Sequence, residues 1–67
     1  MKVVKVYVMD KLVGEYPDCR VISRTDRIVH QIVPVDVSIT EADKKMVAGI
    51  VKDSKHVSII EEMQEDK

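Results

Sequence analysis

The chain has no tryptophan and no phenylalanine, and its 67 residues include one cysteine, two glycines and two prolines. Each scarcity excludes something. With Cys19 alone, no disulfide can close within the chain and no thiolate cluster can hold a metal. His30 and His56, lacking further ligands nearby in sequence, do not make the closed donor set that zinc prefers. Gly14 and Gly49 stand apart and neither opens a helix, so no glycine loop cradles a phosphate. Tyr7 and Tyr16, the only aromatics, are too few for the stacking platform that single-strand nucleic-acid binders use. Apolar runs fall far short of the roughly 20 residues of a membrane-spanning helix. Lys5 follows Met1-Lys2-Val3-Val4 before any signal-peptide core is built. The expectation is a cytoplasmic chain with no membrane contact, no metal and no cofactor.

What is present is β-branched. Hydrophobic residues make up 45% of the chain, enough to fold, and valine and isoleucine dominate them. Such side chains suit a pleated sheet. The length fits one domain, residues 1–67, and a domain of this size buries only about 60% of the surface that its unfolded chain exposes. Without disulfide or metal, the expected supplement to so small a core is a second copy or another partner.

Alternation places Val4, Val6 and Val8 on one face of a first strand, with Val3, Lys5, Tyr7 and Met9 on the other. A turn at Asp10-Lys11 leads to a second strand, Leu12 to Tyr16, with Tyr7 opposite Gly14 and Lys5 opposite Tyr16. Pro17-Asp18 ends that strand. Cys19 to Arg24 and Arg27 to Val33 read as a third and fourth strand, pairing Val21 with His30 and Ile22 with Val29. Pro34 should interrupt the ladder or mark an edge. Val35, Val37 and Ile39 continue the alternation.

Thr40 is the expected N-cap of a helix, with Glu41 and Asp43 in its first turn. Ala42, Met46, Val47, Ile50 and Val51 recur at helical spacing, which predicts a helix over 41–53. For residues 54–67 the spacing of Val57 and Ile60 favours a helical extension to about Met63. A short strand from His56 to Ile60 and a mobile acidic tail are the alternatives. The fold class expected is α+β: an antiparallel sheet of three to five strands packed against a C-terminal helix.

No group stands out as catalytic. Cys19 and His30 fall on one sheet face, yet a free cysteine is among the most buried residue types, and nothing in sequence supplies an orienting carboxylate. Gly49 within the apolar stripe points to close packing against another backbone. Charge is more informative. Residues 1–34 carry +2 and residues 35–67 carry −3, for a net −1. Arg20, Arg24 and Arg27, with Lys2, Lys5 and Lys11, could meet an acidic partner or the acidic tail of a second copy. The bland reading is solvated surface charge. Arg20, Arg24, Arg27, Tyr7 and Tyr16 are the expected partner-binding residues.

The function expected is that of a small non-catalytic protein-interaction module, a regulator or inhibitor, acting on a macromolecular partner as a homodimer. The alternative is a nucleic-acid-binding accessory protein using the basic residues, which the near-neutral charge disfavours. A third reading makes Cys19 a nucleophile with a lowered thiol pKa.

Overall fold

In the computed structural model, which describes residues 1–65, the chain forms six strands and one short helical passage. Strands β1 (Lys2–Val8), β2 (Lys11–Pro17) and β6 (Val57–Met63) make one sheet in the order β2-β1-β6. Strands β3 (Cys19–Ile22), β4 (Val29–Pro34) and β5 (Ala48–Val51) make a second, in the order β3-β4-β5. All four pairings are antiparallel. A 3-10 turn, Ile39–Glu41, and helix α1, Ala42–Lys45, bridge β4 and β5. The architecture is small and mostly antiparallel, with two sheets where one was expected.

The valine alternation of β1 holds in part: Val4 and Val6 are buried and Val8 is half-buried, but Val3 on the opposite face is buried as well. The hairpin that follows turns one residue earlier than expected. Met9 and Asp10 have φ of 50° and 69°, the left-handed pair that a two-residue type I′ loop requires. A bulge then absorbs Val13, so Val6 faces Gly14, Tyr7 faces Leu12 and Lys5 faces Glu15. The expected pairs Tyr7–Gly14 and Lys5–Tyr16 therefore do not form. The aromatic lying over Gly14 is Tyr16, whose ring carbon Cε2 would sit 3.0 Å from a Cβ placed there. Asp18, at φ 56°, swings the chain out of the first sheet and into the second.

In the second sheet, β3 pairs Val21 with Ile32 and Ile22 with Gln31, rather than with His30 and Val29. The connection runs from Ser23 to Ile28, longer than the two-residue loop that set the expected register. Pro34 ends β4 inside the ladder, opposite Cys19. Residues 35 and 36 turn instead of extending the strand, and Val37 folds back into the core.

The helix expected over 41–53 is cut to one turn. Thr40 lies inside the 3-10 turn, its Oγ1 2.9 Å from Ser38 Oγ, and it does not cap α1. Ala48–Val51 pairs with β4 as a strand. The same residues satisfy both periods: Ala48 and Ile50 face inward and Gly49 and Val51 outward, while β-branched side chains and a glycine weaken the helical alternative. A helix here would have left the apolar edge of β4 unpaired. Gly49 does sit at a close approach, but to Met46 and Val29 of its own chain: a Cβ there would lie 3.2 Å from Met46 Cε.

The expected helical extension after residue 53 is likewise a strand. Val57 and Ile59 are half-buried while Ser58 and Ile60 are exposed, a period of two. Residues 66 and 67, the end of the expected tail, lie outside the described residues.

The inner faces of the two sheets meet through Val4, Val6, Cys19 and Ile32, all buried, flanked by Tyr16, Val21, Ala48, Ile50, Val57 and Ile59. A second cluster, Ile22, Val33, Val37 and Ala42, seats α1 on the outer face of the second sheet. Buried Gln31 reinforces it, donating through Nε2 to Asp43 at 2.6 Å. The molecule measures 38 × 31 × 15 Å, and this thinness leaves little room for full burial. Among the described residues, nine hydrophobic side chains are buried and twelve large ones are exposed, so apolar surface is left over on folding.

The left-handed hairpin gives a direct test. Met9 holds a conformation that suits Asn, and Asp10 one that suits Gly. Replacing the pair by Asn-Gly should stabilise the chain by about 1 kcal/mol, read from urea unfolding midpoints at unchanged slope. A loss of stability would mean the turn is not type I′.

Candidate functional site

The two sheets close on each other at one side and splay at the other. At the closed side β1 packs on β3. At the open side lies a groove of about 440 Å³, lined by apolar Val21, Ile50, Val51, Val57 and Ile59. Its polar members are Ser23, His30, Lys52, Ser54 and Glu61. These come from both sheets and the β5–β6 connection.

Hydrogen bonds fix which backbone groups face the groove's rim. Gln64 N–H donates to Met1 O at 2.7 Å, and Met9 N–H donates to His56 O at 3.0 Å. Antiparallel pairs alternate, so Glu62, Ile60 and Ser58 exchange bonds with Val3, Lys5 and Tyr7 between those ends. Val57, Ile59, Glu61 and Met63 consequently direct N–H and C=O away from β1, along an edge that no other strand of the sheet covers. The Val57 N–H makes a long bond to Ser54 O at 3.4 Å. Five of the seven β6 residues are exposed, Met63 at 76%, whereas β1 in the sheet centre has none exposed.

The same alternation explains the tie between the sheets. Val35 N–H donates to Asp18 O at 2.9 Å, so Val21 must point its N–H away from β4. Glu61 Oε1 accepts it at 2.7 Å, and Glu61 Oε2 pairs with Lys2 Nζ at 2.9 Å. Burial works against the Glu61 charge, but bonds from Lys2 and Val21 and the charges of Lys2 and Arg20 outweigh it and hold its carboxyl below the ordinary value.

Across the groove, Ser23 Oγ and His30 Nδ1 are 2.6 Å apart. This pair can pass a proton, but the outward Val21 N–H that could have polarised a substrate carbonyl already serves Glu61. Lys52 Nζ donates to the Arg24 carbonyl. The polar side chains of the groove are thus largely engaged within the chain, which leaves apolar walls and strand backbone as its free features.

The expected partner-binding residues do not converge there. Arg24 and Arg27 surround Asp43: Arg27 donates to it through Nη2 at 2.6 Å and Nε at 3.1 Å, and Arg24 lies 3.9 Å away. Asp26 takes a further bond from each. Hydrogen bonds from Arg27 and then Gln31 hold the Asp43 carboxyl well below the carboxylate range, and the bond to Asp43 followed by the charge of Asp26 raises the Arg27 pKa. Arg20 turns to the Val37 carbonyl at 2.6 Å. Tyr16 packs on the inner core, while Tyr7 shares the opposite face of its sheet with Lys5 and Leu12. Lys5 pairs with Glu62 and Glu15 at 3.4 and 3.8 Å. The basic residues therefore act mainly as partners of the chain's own carboxylates.

Ser23, Lys52, Ser54 and Glu61 carried no individual signal in the sequence, where Ser23 stands far from the stretch that holds the other three. The alternation of Val57 and Ile59 was the trace that could have found this edge. Cys19 is buried against Val4, Val6 and Ile32, and burial first, then the charge of Asp18, pushes its thiol pKa up. No metal-ligand cluster occurs among the described residues, and no helix there is long and apolar enough to cross a membrane.

Two measurements check this chemistry. The lowered carboxyls of Asp43 and Glu61 contribute stability that is present above the unfolded carboxylate pKa of about 4 and is lost as pH falls below it. The melting temperature should fall between pH 5 and pH 2, and less steeply in Asp43→Asn; parallel curves for the two proteins would discount the Asp43 contact. Cys19 should resist iodoacetamide at pH 7.5 until the chain is unfolded in urea, and rapid native labelling would reinstate it as a nucleophile.

Comparison of the chain with protein-family models, with curated proteins and with solved structures finds no match.

Proposed function

We propose that the chain is a non-catalytic protein-interaction module, a regulator or inhibitor, that acts by taking an extended segment of a partner protein onto the free edge of β6. One observation carries this reading: the outward backbone of Val57, Ile59, Glu61 and Met63 runs beside a groove whose lining mixes apolar Val21, Ile50, Val57 and Ile59 with polar side chains. Strand addition needs those two elements together. Main-chain hydrogen bonds supply affinity, and pockets for alternate side chains supply specificity. Here the groove accepts side chains from one face of the incoming strand, between Ile59 and Ile50. The polar lining of Ser23, His30 and Ser54 can orient it.

A nucleic-acid role draws less support. Phosphate binding needs free cations, and Lys2, Lys5, Arg24 and Arg27 are each within 4 Å of a carboxylate of the same chain.

The reading is tested by selecting random displayed peptides against the chain immobilised sparsely, so that copies do not meet. Enriched peptides should alternate apolar and polar residues, should bind with little dependence on salt, and should shift the NMR amide signals of Val57 to Met63 and of Ser23 and His30. Failure to enrich any peptide, or shifts confined to the Arg24–Arg27 region, would refute it.

A further inference from the structure

Among the described residues, three features could each meet a ligand. The Ser23–His30 pair has no orienting carboxylate or spare backbone donor beside it. The exposed Met46, Val47 and Val51 surface beside β5 has nothing that points to an occupant. The third, the β6 edge, carries more, because its backbone, side chains and charges together constrain what can pair with it.

From that edge, and resting on the reading of β6 as a protein-binding strand, we infer that its occupant is β6 of a second copy, paired antiparallel across a two-fold axis at Ile60. The backbone sets the choice of register. In a two-fold antiparallel pair, hydrogen bonds must join outward-facing residues, here Val57, Ile59, Glu61 and Met63. Centring on Ile60 joins Ile59 to Glu61 and Val57 to Met63 of the other copy, so every outward residue of β6 finds a partner. Centring on Ile59 strands Met63 beyond the end of the other strand, and centring on Glu61 strands Val57.

Charge selects the same register. Centring on Glu61 sets two carboxylates directly opposite each other, which destabilises a strand pair. Centring on Ile60 sets Glu62 opposite Ser58 and Glu61 opposite Ile59. Each carboxylate also keeps its own lysine, Lys2 at 2.9 Å and Lys5 at 3.4 Å, so the two edges meet without an uncompensated charge. Ile60, 46% exposed on the face away from the groove, meets its symmetry mate as a close apolar pair. On the other face, Val57, Ile59 and Met63 of the second copy carry the apolar wall of the groove across the axis. The groove is then completed by residues of both copies. Of the exposed large apolar side chains, Ile60 and Met63 lie on β6 itself, and their burial gives such pairing a driving force.

Two variants and a cross-link test this. Ile59→Pro removes an N–H that faces away from β1 together with a half-buried side chain that flanks the core, so it is read at a temperature where its circular-dichroism spectrum still matches the wild type, and there light scattering should show its dissociation constant raised at least 100-fold. Ile60→Cys should form an intermolecular disulfide readily, because non-hydrogen-bonded antiparallel pairs bring Cα atoms to about 4.5 Å. Ser58→Cys, whose symmetry mate lies out of reach, should not, and buried Cys19 serves as an internal control. A dimer that survives Ile59→Pro, or that cross-links through Ser58→Cys and not Ile60→Cys, overturns the inference. So does a wild-type chain that stays monomeric to millimolar concentration. If displayed peptides still add to β6 in that case, the interaction reading stands and only the second copy is removed; if they do not, both fall.

Discussion

The two sheets are held together by a narrow apolar contact, Val4 and Val6 against Cys19 and Ile32, and the character of the molecule follows from its smallness. A wider contact would have closed the sheets into a sandwich. Here the inner faces meet most closely at β1 and β3, while the groove lies between β6 and the β4–β5 side of the second sheet. Glu61 marks the limit of closure. Its carboxylate satisfies the outward Val21 N–H that no strand of the second sheet reaches. Beyond Glu61 the inner faces are open. The groove is therefore the unclosed part of a core and not a pocket carved into a finished one.

The helical passage shows a different economy. A single turn of α1, seated on Ile22, Val33 and Val37, covers the outer face of the second sheet. So short a helix is not stable through its own hydrogen bonds. It is held by Ala42 in the cluster and by Asp43, which gathers Arg27, Gln31 and Arg24 from β4 and the connection before it. The arginines thus do structural work, locking a cap that hydrophobic contact alone would leave loose.

This is also why the sequence was legible in some places and misleading in others. The first strand could be read because Val4, Val6 and Val8 alternate over a run too regular for a helix, and the positions of β3 and β4 followed from turn residues around them. Residues 42–51 satisfied two periods at once. Ala42, Met46, Val47, Ile50 and Val51 fit a helix, and Ala48 to Val51 fit a strand; the choice was made by the unpaired edge of β4, which no local pattern reveals. Register failed for a similar reason, since a bulge at Val13 and a long connection after Ile22 leave no mark that residue spacing can count. The arginine cluster stood out because charge is visible in sequence, while its neutralisation by Asp43 is not. The β6 edge stayed hidden because an edge belongs to a sheet and not to a residue.

The far side of the first sheet has a different character. On β2, the alternation set by Val4, Val6 and Val8 turns the backbone of Glu15 and Pro17 outward. Proline has no N–H to offer there, and the bulge at Val13 bends the strand away from a straight template. One border of the sheet therefore offers outward N–H and C=O groups along its length, and the opposite one lacks a donor at Pro17. A sheet with this polarity can be extended once but not repeatedly. A strand added along β6 would leave the array bounded at the β2 border, and that boundary would work against fibre growth through this sheet.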